Sequence, residues 1–137
     1  MVHCALKAEV VLMLLEARPS LVTSMTKEGN TCAHIAAEKG STLVVEKLMK
    51  FDKIAVISSR NKTEEATALH VAAHGGHRDL VASLMAAGAQ TTDETREGHT
   101  PLLIAAMKGH VDLINDMASA GVNMRLVKNK LHLFARQ

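Results

Sequence analysis

Residues 65–89 read EATALHVAAHGGHRDLVASLMAAGA, and the same pattern occurs twice more in the chain. The other two copies are GNTCAHIAAEKGSTLVVEKLMK at residues 29–50 and GHTPLLIAAMKGHVDLINDMASAGV at residues 98–122. A threonine holds the same place in each copy, at positions 31, 67 and 100, so the copies are 36 and then 33 residues apart. Self-similarity at a period near 33 residues predicts a solenoid, in which each unit buries its apolar face against the next.

Each copy begins with the signals of a short helix. The threonine can cap free backbone amides, and Pro101 follows it in the third copy, where a missing N–H costs nothing. Paired alanines then remove side-chain bulk where neighbouring units approach each other. Glycines at positions 40, 76 and 109 can end this first helix with a left-handed turn.

A second helix follows in each copy, with apolar residues at helical spacing. The residues predicted to face the core are Leu43, Val44, Leu48 and Met49 in the first copy, and Leu80, Val81, Leu84 and Met85 in the second. Four methionines recur near one position of this helix and are interpreted as adaptable core packing rather than as a binding surface: Met13, Met49, Met85 and Met117. The stretches 52–65 and 90–98 then predict projecting loops.

The sequence therefore predicts an all-α fold, a solenoid of stacked helix-turn-helix units with projecting hairpin loops. The predicted units are a partial unit at 1–24, repeats at 25–61, 62–94 and 95–127, and a partial unit at 128–137. Because both terminal units are incomplete, we expect the chain to be a fragment of a longer array.

The segments TCAHIAAEKG, TALHVAAHGGH and TPLLIAAMKGH resemble the ankyrin signature T-P-L-H-x-A-A-x-x-G-H, and the likeness covers residues 9–124. Five positions depart from that signature: Cys32 and Ala68 replace proline, Leu103 replaces histidine, Ser41 replaces the histidine after glycine, and Glu65 replaces the glycine of the hairpin turn. These departures leave local turn geometry open and do not affect the predicted fold.

The ankyrin resemblance implies binding of a protein partner, or of neighbouring ankyrin repeats, on a concave surface made of loop tips and first-helix faces, here named the inner face. The family's contact positions correspond to Lys27, Glu28, Asn30, Glu38, Lys39, Thr63, Glu64, Ala66, His74, Gly75, Arg96, Glu97, His99, Met107 and Lys108. Any one of these residues taken alone is better explained as part of a solvated polar face. Since the chain has no tyrosine or tryptophan, a hot spot would depend on Arg96, Met107 or the imidazoles.

A narrower resemblance concerns residues 17–41 and 47–63, including the longer loop. They are similar to ankyrin repeats of NompC-type (TRPN) transient receptor potential channels, which are mechanically gated cation channels. This resemblance implies a cytoplasmic tether to the cytoskeleton. No pore or selectivity segment is found in the sequence.

Three histidines suggest one alternative chemistry, because His70 and His74 stand one helical turn apart, as in helical zinc sites. No glutamate follows His70, and two glycines separate His74 from His77, so a metal site is not predicted. His34 and His70 are interpreted as structural, and His77 and His110 as turn histidines. No nucleophilic triad or carboxylate pair can be assembled, so the sequence predicts no catalytic residue, no cofactor and no enzyme.

The composition of the chain disfavours two classes of protein, those that bind nucleic acid and those that insert into a membrane. The formal charge of +2 comes without a basic block, which disfavours nucleic acid. The longest apolar run, Val10 to Leu15, is too short to span a bilayer, so no membrane insertion is expected. The two cysteines, Cys4 and Cys32, are not predicted to be reactive, and they fit a cytoplasmic protein, including the cytoplasmic side of a membrane protein.

The apolar run from Ile54 to Ile57 interrupts the longer loop between the first two copies. Four adjacent apolar residues do not remain solvated in a projecting loop, so we expect Ile54, Val56 or Ile57 to pack near Met49. The leading function is a protein-interaction module, in its specific form a channel tether. The alternatives are purely structural spacer repeats and a scaffold or adaptor unrelated to channels.

Overall fold

The computed structural model describes residues 13, 17, 25–27 and 29–122. Within these ranges the chain forms six α-helices: α1 Cys32–Glu38, α2 Thr42–Ser58, α3 Ala68–Gly75, α4 Arg78–Ala86, α5 Pro101–Lys108 and α6 Val111–Ser119. They pair in chain order into three helix-turn-helix units, so α1, α3 and α5 are first helices and α2, α4 and α6 are second helices. Each set stacks on its neighbours along the array. The predicted all-α solenoid is confirmed.

The first helices begin at the three repeated threonines, as predicted. Thr31 Oγ1 accepts from the backbone N–H of His34 at 3.4 Å, and Thr67 and Thr100 cap their helices in the same way. The helices end where glycine follows: Gly40 and Gly76 both have a φ of +70°, and Gly109 has +75°. This left-handed conformation favours glycine because it lacks a Cβ atom.

Alanines and leucines form the shared core. The first helices contribute buried alanines, which let them approach closely: Ala36, Ala37, Ala72, Ala73 and Ala105. The second helices contribute Val45, Leu48, Leu80, Val81, Leu84, Leu113 and Met117. One predicted core residue is misplaced, because Leu43 is 40% exposed and Val45 takes the buried position instead.

The methionine prediction holds for three of the four residues. Met117 is fully buried, and Met49 and Met85 are partly buried and packed against the core. Met13 is 67% exposed, so its assignment to the core was wrong.

The longer loop predicted from residue 52 is in part helical. Asp52 breaks α2 with φ −152° and ψ 86°, and its Oδ1 accepts from the Ala55 N–H at 3.0 Å. This carboxylate acts as a cap, so the chain resumes a helix through Ser58. Val56 is then buried and Ile57 packs against the core, whereas Ile54 is 73% exposed. Packing into the core is confirmed for Val56 and Ile57, and their position near Met49 stays a prediction.

The loops form turns that are joined from unit to unit. The Thr95 N–H donates to the His99 carbonyl at 2.9 Å, and Gly98 turns with a φ of +82°. In the preceding loop Glu65 occupies the position equivalent to Gly98. Its φ of +56° shows that the turn keeps its left-handed conformation without a glycine. The Arg96 N–H donates to the Glu64 carbonyl at 2.8 Å and connects the two loops. Apart from residues 13 and 17, the predicted terminal units at 1–24 and 128–137 lie outside the described residues, as does residue 28.

Candidate partner-binding face

The inner face carries two adjoining cavities between successive first helices. Cavity A, between α1 and α3, has a volume of about 260 Å³ and is lined by Asn30, His34, Glu38, Asn61, Thr63, Glu64, Ala66, His70, Val71, His74 and Ile104. Cavity B, between α3 and α5, has a volume of about 230 Å³ and is lined by Thr63, Glu64, His74, Thr95, Arg96, Glu97, His99, Ile104, Met107 and Lys108. Because they share four lining residues, the cavities form one groove, here named the inner groove.

The inner groove brings together most of the residues predicted from the ankyrin resemblance. Those that line it are Asn30, Glu38, Thr63, Glu64, Ala66, His74, Arg96, Glu97, His99, Met107 and Lys108. Lys27, Lys39 and Gly75 are exposed but line neither cavity. Glu28 lies outside the described residues.

Ala66 lines cavity A without offering a side chain to a partner. Its side chain is buried, and its carbonyl oxygen lies 2.7 Å from Nε2 of His34. Its backbone N–H donates to Asn61 Oδ1 at 3.0 Å. Ala66 therefore connects the first two units through its backbone, and its contact with a partner stays a prediction.

Arg96, predicted as a hot spot, is held by the preceding loop. Its guanidinium donates to the carbonyl oxygens of Lys62 and Thr63 at 3.0 and 3.2 Å. The same group lies 3.8 Å from the Glu65 carboxylate. These contacts join the loop that carries Arg96 to the preceding loop, and its role in binding a partner stays a prediction.

His34 and His70 are structural, as predicted. His70 Nδ1 accepts from the Thr67 backbone N–H at 3.1 Å, and Nε2 lies 2.9 Å from the Asp93 carbonyl and 3.1 Å from the His99 carbonyl. A carbonyl can only accept, so Nε2 carries a proton, and Nδ1 carries none because it accepts from Thr67. The ring is therefore neutral. Burial lowers the pKa of both histidines, and their bonds to backbone carbonyls oppose that shift in part.

The turn histidines join neighbouring units through backbone carbonyls. His77 Nε2 lies 3.2 Å from the Glu38 carbonyl, and His110 Nε2 lies 2.9 Å from the His74 carbonyl. The backbone at Glu38 and His74 therefore holds the array together, while both side chains remain exposed. Met107 occupies the same place in the third unit and is 48% exposed.

Within the described ranges, no three residues among histidine, cysteine, aspartate and glutamate are grouped closely enough to hold a metal ion. Both ring nitrogens of His70 are engaged in hydrogen bonds, so neither is free to bind a metal together with His74 and His77. Burial raises the pKa of the Cys32 thiol, so its reactive thiolate is disfavoured. Cys4 lies outside the described residues.

Sequence reasoning missed an apolar row on the first helices, two of whose three residues, Val71 and Ile104, line the inner groove. Ile35, Val71 and Ile104 hold the same place in the three first helices, and each is at least partly exposed. The signal was available, since the fourth residue after each threonine is β-branched and apolar in every copy.

A third cavity, of about 350 Å³, lies on the opposite side of the array between α4 and α6. Its lining is mostly apolar and includes Ala82, Ala86 and Ala120. Arg78 closes one side with a bidentate pair to Asp116, at 2.6 and 3.0 Å. This hydrogen-bonded guanidinium lowers the pKa of the Asp116 carboxyl. This third cavity, here named the outer cavity, is the alternative to the inner groove.

None of the helices in the described ranges has the length and apolar character required to cross a membrane. Curated protein sequences yield no match to the chain. A family model described as ankyrin repeats (3 copies) matches residues 1–93 and 53–128. Proteins of this family are generally non-enzymatic and act as protein-interaction domains. With three described helix-turn-helix units and a family match over most of its length, the chain belongs to the ankyrin-repeat family.

Proposed function

We propose that the chain is a protein-interaction module whose partner lies in the inner groove. The observation that carries the proposal is that backbone and side chain have different roles at Glu38 and His74. Their carbonyls bind the next unit, while their side chains, with that of Met107, project from one equivalent position in each unit. The array can therefore vary these three side chains without altering its own backbone connections.

The three positions offer different chemistry to a partner. A carboxylate, an imidazole and a thioether follow one another along the groove, beside the partly exposed apolar row of Ile35, Val71 and Ile104. An apolar surface flanked by a few polar groups is typical of binding sites. We propose no catalytic activity and no cofactor for this surface.

The test compares a block of the inner groove with a block of the outer cavity. The inner variant combines Glu64→Ala, His74→Ala and Met107→Ala, and the outer variant combines Ala82→Glu and Ala86→Glu. All five positions are exposed, so both variants should fold, which circular dichroism checks. A partner isolated with the wild-type chain is purified and its Kd is measured by calorimetry for all three chains.

We expect the inner variant to weaken the complex at least tenfold, because side chains in the centre of an interface contribute most of its free energy. The outer variant should retain the wild-type Kd. The opposite pattern would move the binding site to the outer cavity.

A second candidate function is a spacer that transmits force between its ends. The contacts that support it cross every boundary between the described units, through the imidazoles and through Arg60. The Arg60 guanidinium donates to the carbonyls of Glu65 and Glu94 at 2.9 and 2.7 Å. Single-molecule pulling on wild type and Arg60→Ala is the test, and an unchanged unfolding force would count against this candidate. The further proposal of a tether for a NompC-type channel rests on the resemblance alone.

A further inference from the structure

We propose that the inner groove binds a peptide segment in the polyproline II conformation, with a lysine or arginine in cavity A and an apolar side chain three positions away in cavity B. The inference rests on the proposed function, since it names the class of partner that the groove accepts. Three properties of the groove carry it: the charge of cavity A, the composition of cavity B and the distance between them.

Cavity A presents negative charge without a balancing cation. The carboxylates of Glu38 and Glu64 make no ion pair with a described residue, and among the described residues that line this cavity there is no lysine or arginine. The imidazole of His34 donates to the Ala66 carbonyl and is already engaged. An incoming ammonium or guanidinium group would therefore find two acceptors of opposite charge.

Cavity B differs from cavity A because cations line it. It shares Glu64 with cavity A and adds Glu97, but Arg96 and Lys108 match these two carboxylates in number. Arg96 is held by backbone carbonyls and by Glu65, and the Glu97 carboxylate lies 3.8 Å from His99 Nδ1. The apolar surface of Met107, 48% exposed beside Ile104, remains open to a partner. A flexible thioether adapts to apolar side chains of different shape, so we infer an apolar side chain here.

The distance between the cavities selects the conformation of the peptide. Cavity A lies between α1 and α3, and cavity B lies between α3 and α5, so we infer that their centres are separated by about the spacing of two packed helices. Packed helices are about 8–10 Å apart. In polyproline II, with three residues per turn and a rise of about 3.1 Å, positions i and i+3 face the same side about 9 Å apart. A β-strand would place same-side residues about 7 or 13 Å apart, and neither distance fits.

Three proline-rich peptides of 12 residues, labelled with fluorescein, test the proposal by anisotropy at low salt. The first carries one arginine with a leucine three positions later, the second carries the leucine two positions later, and the third has glutamate in place of arginine. We expect the first peptide to bind at least fivefold more tightly than either of the others. Equal binding of all three, tighter binding of the glutamate peptide, or no binding of the first would overturn the proposal.

Two matched variants test whether the carboxylates of cavity A attract the basic residue of the peptide. Glu38→Gln combined with Glu64→Gln should weaken binding of the first peptide about fivefold to tenfold and reduce its dependence on salt. Glu46→Gln is the control, because Glu46 is exposed on a second helix, where it accepts from the Ser83 hydroxyl. An equal loss in the control would mean that net charge alone attracts the peptide, and would overturn the assignment to cavity A.

A selection from random displayed 12-residue peptides separates this inference from the proposed function. Enrichment of a basic residue with an apolar residue three positions away supports both. Enrichment of a different pattern whose binding is lost on Met107→Glu would overturn the inference and leave the proposed function standing. Peptides that bind equally to wild type and Met107→Glu would count against both.

Discussion

Nε2 of His110 lies 2.9 Å from the carbonyl oxygen of His74 and donates to it. The imidazole thereby crosses from the third unit to the end of the first helix of the second unit. It passes so close to Gly76 that a Cβ atom there would lie 2.8 Å from His110 Nδ1. The turn glycine is therefore required both by its own φ of +70° and by the histidine of the next unit.

Replacing Gly76 with alanine should cost more stability than replacing Gly88. Both glycines have positive φ, which costs an L-residue about 1–2 kcal/mol, but no atom lies within 4 Å of a Cβ atom built on Gly88. Urea denaturation should show the larger loss for Gly76→Ala. In a His110→Ala background the two substitutions should cost equal stability, because the imidazole that a Cβ atom at position 76 would meet is absent. Equal losses in the wild-type background would contradict the close approach.

Acidification should destabilise the fold through His34 and His70. Burial lowers their folded-state pKa below the ordinary value of 6.5, so the unfolded chain binds protons more readily. The stability they contribute is complete above pH 6.5 and is lost as the pH falls through their folded-state pKa. A proton on His70 Nδ1 would also face the Thr67 N–H, 3.1 Å away.

The check is the urea midpoint at pH 7.5 and pH 5.5. His70→Leu is the matched variant, because Leu103 occupies this position, fully buried, in the third unit. We expect a lower midpoint at pH 5.5 in wild type and a smaller decrease in the variant. A wild-type midpoint that rises on acidification would contradict the neutral, buried assignment.

Glu65→Gly should stabilise the chain by about 0.5–1 kcal/mol. Glu65 is the one non-glycine residue with positive φ in the described ranges, whereas Gly29 and Gly98 hold the equivalent place in the other loops. Removing the Cβ atom relieves this strain, and the exposed pair with Arg96 at 3.8 Å contributes little in return. Glu65→Ala keeps the strain and should not stabilise. A gain of equal size in both variants would show that the carboxylate, and not the backbone, is unfavourable.

The extra helical segment after Asp52 offers a paired test of burial. Val56→Ala should cost about 2 kcal/mol because its side chain is fully buried, whereas Ile54→Ala should change stability by less than about 0.5 kcal/mol because that side chain is 73% exposed. Thermal or urea denaturation of the two variants measures the difference. Similar costs would mean that the segment does not pack as described.

The fold was predictable because its signals are local and repeated. The capping threonines and turn glycines specify each first helix through its own backbone, and the structure has them where the pattern places them. The segment from Lys53 to Ser58 was not predictable in the same way. There the repeat gives no template, and whether Asp52 caps a new helical segment depends on Val56 reaching the core.

The sequence predicted which positions belong to the candidate site, but not how their side chains pack against neighbouring loops. Family positions identified Glu38, His74 and Met107, whose side chains project from the array in every unit. They could not show that Arg96 is engaged by the preceding loop or that Ala66 is buried, because both depend on how one loop packs on the next. Contacts between units are set by tertiary geometry, which a single repeat does not encode.

Hydrogen–deuterium exchange of the chain alone and in complex with a purified partner tests the central claim most directly. The amides of residues 61–66 and 95–99 and of the first helices α3 and α5 should gain protection, while α4 and α6, which line the outer cavity, should exchange as in the isolated chain. Protection confined to α4 and α6 would contradict binding in the inner groove.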